Sequence, residues 1–399
     1  MVETGLTFKE KLLRTDMTIV ICVVIMSALS LLTLSACLPF VELRCLLVQA
    51  FAFSLGMVLM MFIMLIDYDR VSMNRIAIGA FVLAIVALTL LLICGEGNGI
   101  NKNWIRIPGF PLDIQVAEFT KILFILSFSR HARLVKERIN RFSILCGLLF
   151  HAGVYIGFVL VSGDLGTALV YVVMALVILY ASGLNKRYFI VVFLACLLAA
   201  PVLWSFLTEY QRQRILVGFN PWLDPYGYGY QPLISREAIL SGGLFGAGYS
   251  GGFVYKILPV VQSDFLFSAM CEKFGMISGM IYVVALSVLV IRIFRIGRAS
   301  GRRTTYMVCV GVGTLLFFQF AVNIGMCLGV LPVIGITSPF LSYGGSSMLT
   351  LFLTMGVIQA IKIRIPKEKL FSEKEEFYRV LLRGKRKGNC RKNASGRKN

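Results

Sequence analysis

The residues with chemistry to offer are few, and most are acids. Asp264 stands where a long polar stretch runs into an apolar one, in Leu258-Pro259-Val260-Val261-Gln262-Ser263-Asp264-Phe265. A carboxylate at a membrane boundary is costly to keep and is a functional candidate by default. Two readings compete for it from the residues alone: a catalytic acid or base, or an N-cap for the apolar helix that follows. Glu272 lies further along the same run, roughly 80° and about 12 Å away on a helix. It could pair with Lys273 or a neighbouring helix, or line a cavity, and the sequence leaves these open. Glu118 and Lys121 share one helix face by their spacing and can pair; a structural pair beside a cavity and direct substrate contact both fit. Asp164 opens an apolar run, as a cap or as a site acid. Arg212 and Arg214 lie in the polar stretch that ends at Asp264. Guanidinium recognises phosphate bidentately, so a diphosphate is one partner; snorkelling to lipid headgroups is the other reading.

Such groups need elements to hold them. A chain of 399 residues with 58% hydrophobic content and mean hydropathy +0.81 is not an ordinary soluble globule. Apolar runs of roughly 20 residues imply an all-α polytopic membrane protein. The expected spans are about 17–39, 46–66, 76–94, 114–129, 143–161, 165–183, 188–207, 264–291, 304–331 and 339–363, ten helices in all. The first is too long for a signal peptide and has no small-residue cleavage site, so it reads as retained. Lys and Arg mark cytoplasmic loops, and they group as Lys9/Lys11/Arg14, Arg70/Arg75, Arg130/Arg133/Lys136/Arg138/Arg141, Lys186/Arg187 and Arg292/Arg295/Arg298/Arg302/Arg303. Loops of the other parity hold Arg44, Lys102 and Arg106. Because 67–75 and 130–142 are both basic, the short span 114–129 must cross despite Glu118 and Lys121. Both termini are then cytoplasmic. The expected division is a cytoplasmic segment 1–16, a membrane domain 17–363 and a basic cytoplasmic tail 364–399.

Residues 362–399 carry 14 basic and four acidic side chains. A juxtamembrane polybasic segment drawn to anionic lipid explains them better than nucleic acid does. Of ten cysteines, Cys22, Cys146, Cys196, Cys271, Cys309 and Cys327 fall in apolar runs without metal-type spacing and read as small packing residues. With His131 and His151 alone, a histidine-based metal site is not expected. The connection 208–263, between the seventh and eighth spans, is far longer than a connector needs. Within it, 233–240 suits a short amphipathic helix at the interface. Its glycine-rich Ser241-Gly242-Gly243-Leu244-Phe245-Gly246-Ala247-Gly248 has no following Lys-Ser/Thr, so it is no nucleotide phosphate loop.

Several stretches, in this order, resemble the shape, elongation, division and sporulation (SEDS) family of RodA, FtsW and SpoVE. They are Trp104-Ile105, Val116-Ala117-Glu118-Phe119-Thr120-Lys121, Asp164-Leu165-Gly166-Thr167-Ala168, Tyr210-Gln211-Arg212-Gln213-Arg214, Asp224-Pro225-Tyr226-Gly227-Tyr228-Gly229-Tyr230-Gln231, the glycine-rich stretch above and Leu258-Pro259 with Asp264-Phe265-Leu266-Phe267. Asn323-Ile324-Gly325-Met326, Leu331-Pro332-Val333-Ile334-Gly335-Ile336 and Pro339-Phe340-Leu341-Ser342-Tyr343-Gly344-Gly345-Ser346-Ser347 complete the set. The resemblance spans about 17–363.

The resemblance implies an inverting peptidoglycan glycosyltransferase in the bacterial cell membrane. It would polymerise lipid II, a disaccharide-pentapeptide on undecaprenyl diphosphate, at the outer face, beside a class B penicillin-binding protein. Asp264 matches the family's catalytic aspartate, which would take the proton from the attacking sugar hydroxyl or hold a divalent cation, Mg2+ or Mn2+, near the diphosphate. Trp104, Glu118, Lys121, Asp164, Arg212, Arg214, Glu272 and Ser342, Tyr343, Gly344, Gly345 and Ser346 are candidate substrate contacts; helix packing competes for the last group. The chain departs from the family pattern before Asp264, where Val260 and Gln262 stand at positions commonly Glu and His. Lys273 replaces a second glutamate, and Gly163 replaces a usual proline. A lipid II flippase or transporter, or a non-catalytic division scaffold, are the competing classes. A transporter of inverted repeats would show related halves, and none is visible.

Overall fold

The computed structural model describes residues 7–366 apart from 39, 67–72, 98–102, 107–108, 110–112 and 207. Most of the basic tail, and the loop residue Arg70, lie outside the described residues. With no water in the bilayer core to meet backbone groups, apolar runs close their hydrogen bonds within helices. In chain order these are α1 (Phe8–Leu13), α2 (Met17–Ala36), α3 (Leu43–Leu65), α4 (Met73–Cys94), α5 (Val116–Leu134), α6 (Phe142–Val161) and α7 (Leu165–Ser182). They continue with α8 (Lys186–Phe206), α9 (Glu209–Phe219), α10 (Tyr230–Ser241), α11 (Leu266–Ala299), α12 (Arg303–Cys327) and α13 (Gly345–Ile363). Ten of them fall on the ten expected spans. Among the described residues, eight are long and apolar enough to cross a membrane; α5 and α8 are of comparable length, at 19 and 21 residues.

The least hydrophobic span turns out to be central. Helix α5 packs against α4, α6, α7, α12 and α13, and its Glu118, Thr120, Lys121, Ser127 and Ser129 are buried. Its polar face points inward, where all of these but Ser129 find partners. Thr120 and Tyr171 share a hydrogen bond of 2.8 Å, while Ser127 meets His151 at 3.2 Å and Tyr155 at 3.1 Å. The Nδ1 atoms of His131 and His151 lie 3.0 Å apart, tying α5 to α6. Near the termini, Asp16 caps α2 through Thr18 N and accepts from Arg292 Nε at 2.7 Å, which joins α2 to α11. Cys22, Cys271, Cys309 and Cys327 are buried as expected, whereas Cys146 is exposed on the outside of the bundle.

Three features differ from the expected spans. The connection 208–263 is itself helical, and α10 does not lie free at an interface: Pro232, Ser235, Ala238 and Ile239 are buried. Ser235 Oγ reaches Ser268 Oγ at 2.6 Å and donates to Cys327 O at 2.8 Å, so α10 docks on α11 and α12. Helix α11 is broken at Gly275, with φ 77° and ψ 175°. The last span does not begin at 339. Residues 328–344 form an irregular segment, punctuated by Pro332, Pro339 and left-handed Gly329 and Gly335.

The break in α11 explains the glycine-rich stretch. Glu272 O and Lys273 O, which lose their helical partners, accept from Ala247 N at 2.8 Å and Gly248 N at 3.0 Å. Met276 N donates in return to Gly243 O at 2.8 Å. Backbone lies directly on backbone: a Cβ on Gly242 would stand 2.1 Å from Cys271 O, and one on Gly246 2.2 Å from Lys273 O. Non-helical backbone at membrane depth persists only when protein satisfies it in this way.

Candidate active site around Asp264

Asp264 closes a tight turn ahead of α11. Ser263 N and Asp264 N both donate to Val260 O, each at 3.2 Å. Val260 has φ 54°, a left-handed conformation that strains a β-branched residue. The turn is clamped from two sides. Tyr343 N donates to Gln262 O at 2.8 Å, and Asn323 Nδ2 donates to Asp264 O at 3.0 Å. The capping reading of Asp264 is corrected here: Phe265 occupies the cap position, and no side chain caps the first turn of α11. The carboxyl group is therefore available for chemistry. Burial raises it above the ordinary aspartate value of 3.8, and a hydrogen bond from Ser263 acts in the opposite sense. A raised, partly buried carboxylate suits proton abstraction near neutral pH.

The irregular segment 328–344 is also met by other predicted residues. Asn323 Nδ2 also donates to Ile336 O at 2.8 Å. Arg214, on α9, donates to Val333 O at 2.9 Å. Asp164 caps α7 through Thr167 N at 2.8 Å, and a Cβ on the nearby Gly166 would stand 2.7 Å from Ile334 O. Gln115 bridges to the other end of the segment: its Nε2 donates to Asp164 Oδ2 at 3.3 Å and its backbone N to Ser346 Oγ at 3.0 Å. Ser346 in turn donates to Asp113 O at 2.6 Å. Ser342 Oγ accepts from Ser338 N at 2.9 Å, and Gly344 N donates to Gln49 Oε1 at 3.2 Å. Gly345 begins α13. One turn along α5 from Gln115, Glu118 and Lys121 form the expected ion pair, both buried.

Other predicted residues are committed elsewhere. Glu272 is 1% exposed and accepts from Phe253 N, Val254 N and Tyr255 N at 2.7, 2.8 and 2.7 Å. It neither pairs with Lys273 nor opens onto a cavity; it anchors a loop. Lys273 does the same beside it, donating to Tyr249 O at 3.0 Å and Gly251 O at 2.7 Å. Arg212 donates to Trp204 O and Ser205 O, each at 3.1 Å, closing the end of α8. Trp104 pairs with Glu96 in an isolated bridge and is 38% exposed.

Asn323, Gln49 and Tyr282 had not been singled out as site residues. Gln49 Nε2 donates to Ser342 O at 3.1 Å, and Tyr282 OH to Pro339 O at 3.0 Å. A lone amide inside an apolar run is the signal that marks such residues, because burying one without partners costs several kcal/mol, roughly 2–7. Among the described residues no three His, Cys, Asp or Glu side chains converge on a metal position. Asp264 supplies one carboxylate, which fits the way Mg2+ is commonly held, by one or two carboxylates together with substrate phosphates.

This architecture is that of a multi-pass helical membrane protein whose irregular segment, buried over much of 336–342, closes on an acid at one end of the bundle. The family model described as "Cell cycle protein", for FtsW, RodA and SpoVE, matches residues 11–365. Stage V sporulation protein E of Bacillus subtilis (strain 168) is 33% identical over 323 residues, 76% of this chain and 83% of that protein. The probable peptidoglycan glycosyltransferase FtsW of Coxiella burnetii is 35% identical over 291 residues, 70% of this chain and 77% of the relative. A chain solved in a peptidoglycan synthase complex that coordinates polymerization and crosslinking superposes with TM-score 0.76 at 26% identity, covering 87% of this chain and 97% of its own. The rod shape determining protein RodA of Thermus thermophilus shares the fold at TM-score 0.65 and 23% identity, over 87% of this chain and 96% of that one. The chain belongs to the SEDS family.

Proposed function

We propose that the protein is a peptidoglycan glycosyltransferase that polymerises lipid II, with Asp264 as the base for the attacking sugar hydroxyl. One observation carries the assignment to Asp264: its carboxyl caps nothing, while the turn beneath it is strained and clamped to the irregular segment. Inverting transfer needs a base on the face opposite the leaving group. Arg214 and Asp164 approach the same segment, and Arg214 is the better placed of the two arginines to meet a diphosphate. A divalent cation, Mg2+ or Mn2+, held by Asp264 and substrate phosphate would supply charge neutralisation at the diphosphate. The relatives named as glycosyltransferases, and the synthase complex, support the activity and a class B penicillin-binding protein as partner. The test is purified protein, alone and with that partner, incubated with lipid II. Glycan polymer made by the parent and lost in Asp264→Asn supports the reading; translocation of lipid II in vesicles without polymer would make it a flippase.

The basic loops support ten crossings, with both termini cytoplasmic and 208–263 outside. Cysteine labelling in intact cells should reach introduced sites in 208–263 and miss those in 130–142. Labelling of both from one side would refute that orientation.

A further inference from the structure

We propose that Asn323 is a positioning residue for glycosyl transfer: its amide sets where the Asp264 turn sits relative to segment 333–336. The inference rests on Asp264 being the base. Asn323 is wholly buried, within α12, and both hydrogens of its Nδ2 are spent. One goes to Asp264 O at 3.0 Å and the other to Ile336 O at 2.8 Å. Because both partners are carbonyls, only the NH2 side of the amide can face them. Cys327, one turn later, donates to Asn323 Oδ1 at 3.8 Å and to Asp264 O at 3.7 Å, which holds the amide in that orientation. Other side chains grip the irregular segment at other points: Gln49 at Ser342, Tyr282 at Pro339 and Arg214 at Val333. Asn323 hydrogen-bonds both the acid's turn and the segment near Arg214.

The chemistry that follows is a matter of distance. The turn contains a strained Val260 and is free to relax once a clamp is removed. A base displaced by about 1 Å costs on the order of 100-fold in rate, while substrate contacts elsewhere are unaffected. Loss of the amide should therefore appear in kcat and not in KM.

The experiment compares Asn323→Ala and Asn323→Ser with Gln359→Ala in steady-state polymerisation of lipid II by the full-length protein with its partner. Gln359 is an equally buried amide that exchanges hydrogen bonds with the Asp16 backbone, at 2.9 and 3.0 Å, at the end of the bundle away from Asp264. Both Asn323 variants should lose roughly 10- to 100-fold in kcat with KM within about threefold. Gln359→Ala should keep the kcat of its folded fraction, however much stability it loses. Parental kcat in folded Asn323 variants, an equal kcat loss in Gln359→Ala, or failure of both Asn323 variants to fold would each overturn the proposal. Asp264→Asn, run alongside, separates the two ideas. Its full activity would refute the catalytic assignment, whereas its inactivity beside fully active Asn323 variants would refute this inference alone.

Discussion

Buried polar side chains do two different jobs in this protein. Around α5–α7 and near the termini they satisfy one another: Glu118 with Lys121, Asp16 with Arg292, His131 with His151, Ser127 with Tyr155. Around Asp264 they are spent on backbone: Glu272 on three amides, Lys273 on two carbonyls, Asn323 on two more. The first region is mostly regular helix, so its main chain needs little beyond its helix ends, such as the Asp16 backbone that Gln359 meets. The second contains a broken helix and an irregular segment, whose main chain must find partners or pay the cost of burial. Side-chain pairs can be replaced together, because removing both partners leaves no orphan. A side chain that serves the backbone has no partner that can be mutated away.

The sharpest test of that contrast is Glu272→Leu. It orphans three amides at about 1–3 kcal/mol each, so folded yield should collapse, and adding Lys273→Met should not restore it. Fluorescence size-exclusion profiles would show this; recovery in the double variant would erase the distinction between the regions. Lys121→Ala comes next. Stranding a buried carboxylate costs about 3–5 kcal/mol, and Glu118→Gln/Lys121→Met should recover much of the yield. A Lys121→Ala protein with parental yield and melting temperature would mean that the pair contributes nothing.

Asp264→Asn should reduce polymerisation by at least ~100-fold, with lipid II binding and partner association retained. Its stability should not fall. A carboxylate whose folded pKa is raised stabilises the fold below the unfolded value and loses that contribution as pH rises through the folded one. At neutral pH the charged form is therefore the less favourable one to bury, and the Asn variant should melt at the parent's temperature or above. The smallest effect concerns pH. With burial raising Asp264 above 3.8, the acid limb of kcat/KM should fall above the ordinary aspartate value. A limb at or below 3.8 would assign it to another group.

The long apolar helices and the Glu118–Lys121 pair were legible from residue order, because each depends on neighbours a few positions away. Hydropathy along the chain marks a span, loop charge orders the spans, and a spacing of three places two side chains on one face. The capping role of Asp164 was legible for the same reason. The break at Gly275, the irregular course of 328–344 and the work done by Glu272 and Asn323 were not. Gly275 sits inside a stretch that reads as one span, and the helix breaks there because the backbone of 243–248 takes up the freed groups. Glu272 carries the same charge whether it pairs with Lys273, lines a cavity or binds amides at 253–255. Asn323 finds Asp264 across 59 residues of chain. Local sequence determined which stretches become long apolar helices; which buried backbone groups needed a side chain, and which one reached them, was decided only when distant segments packed together.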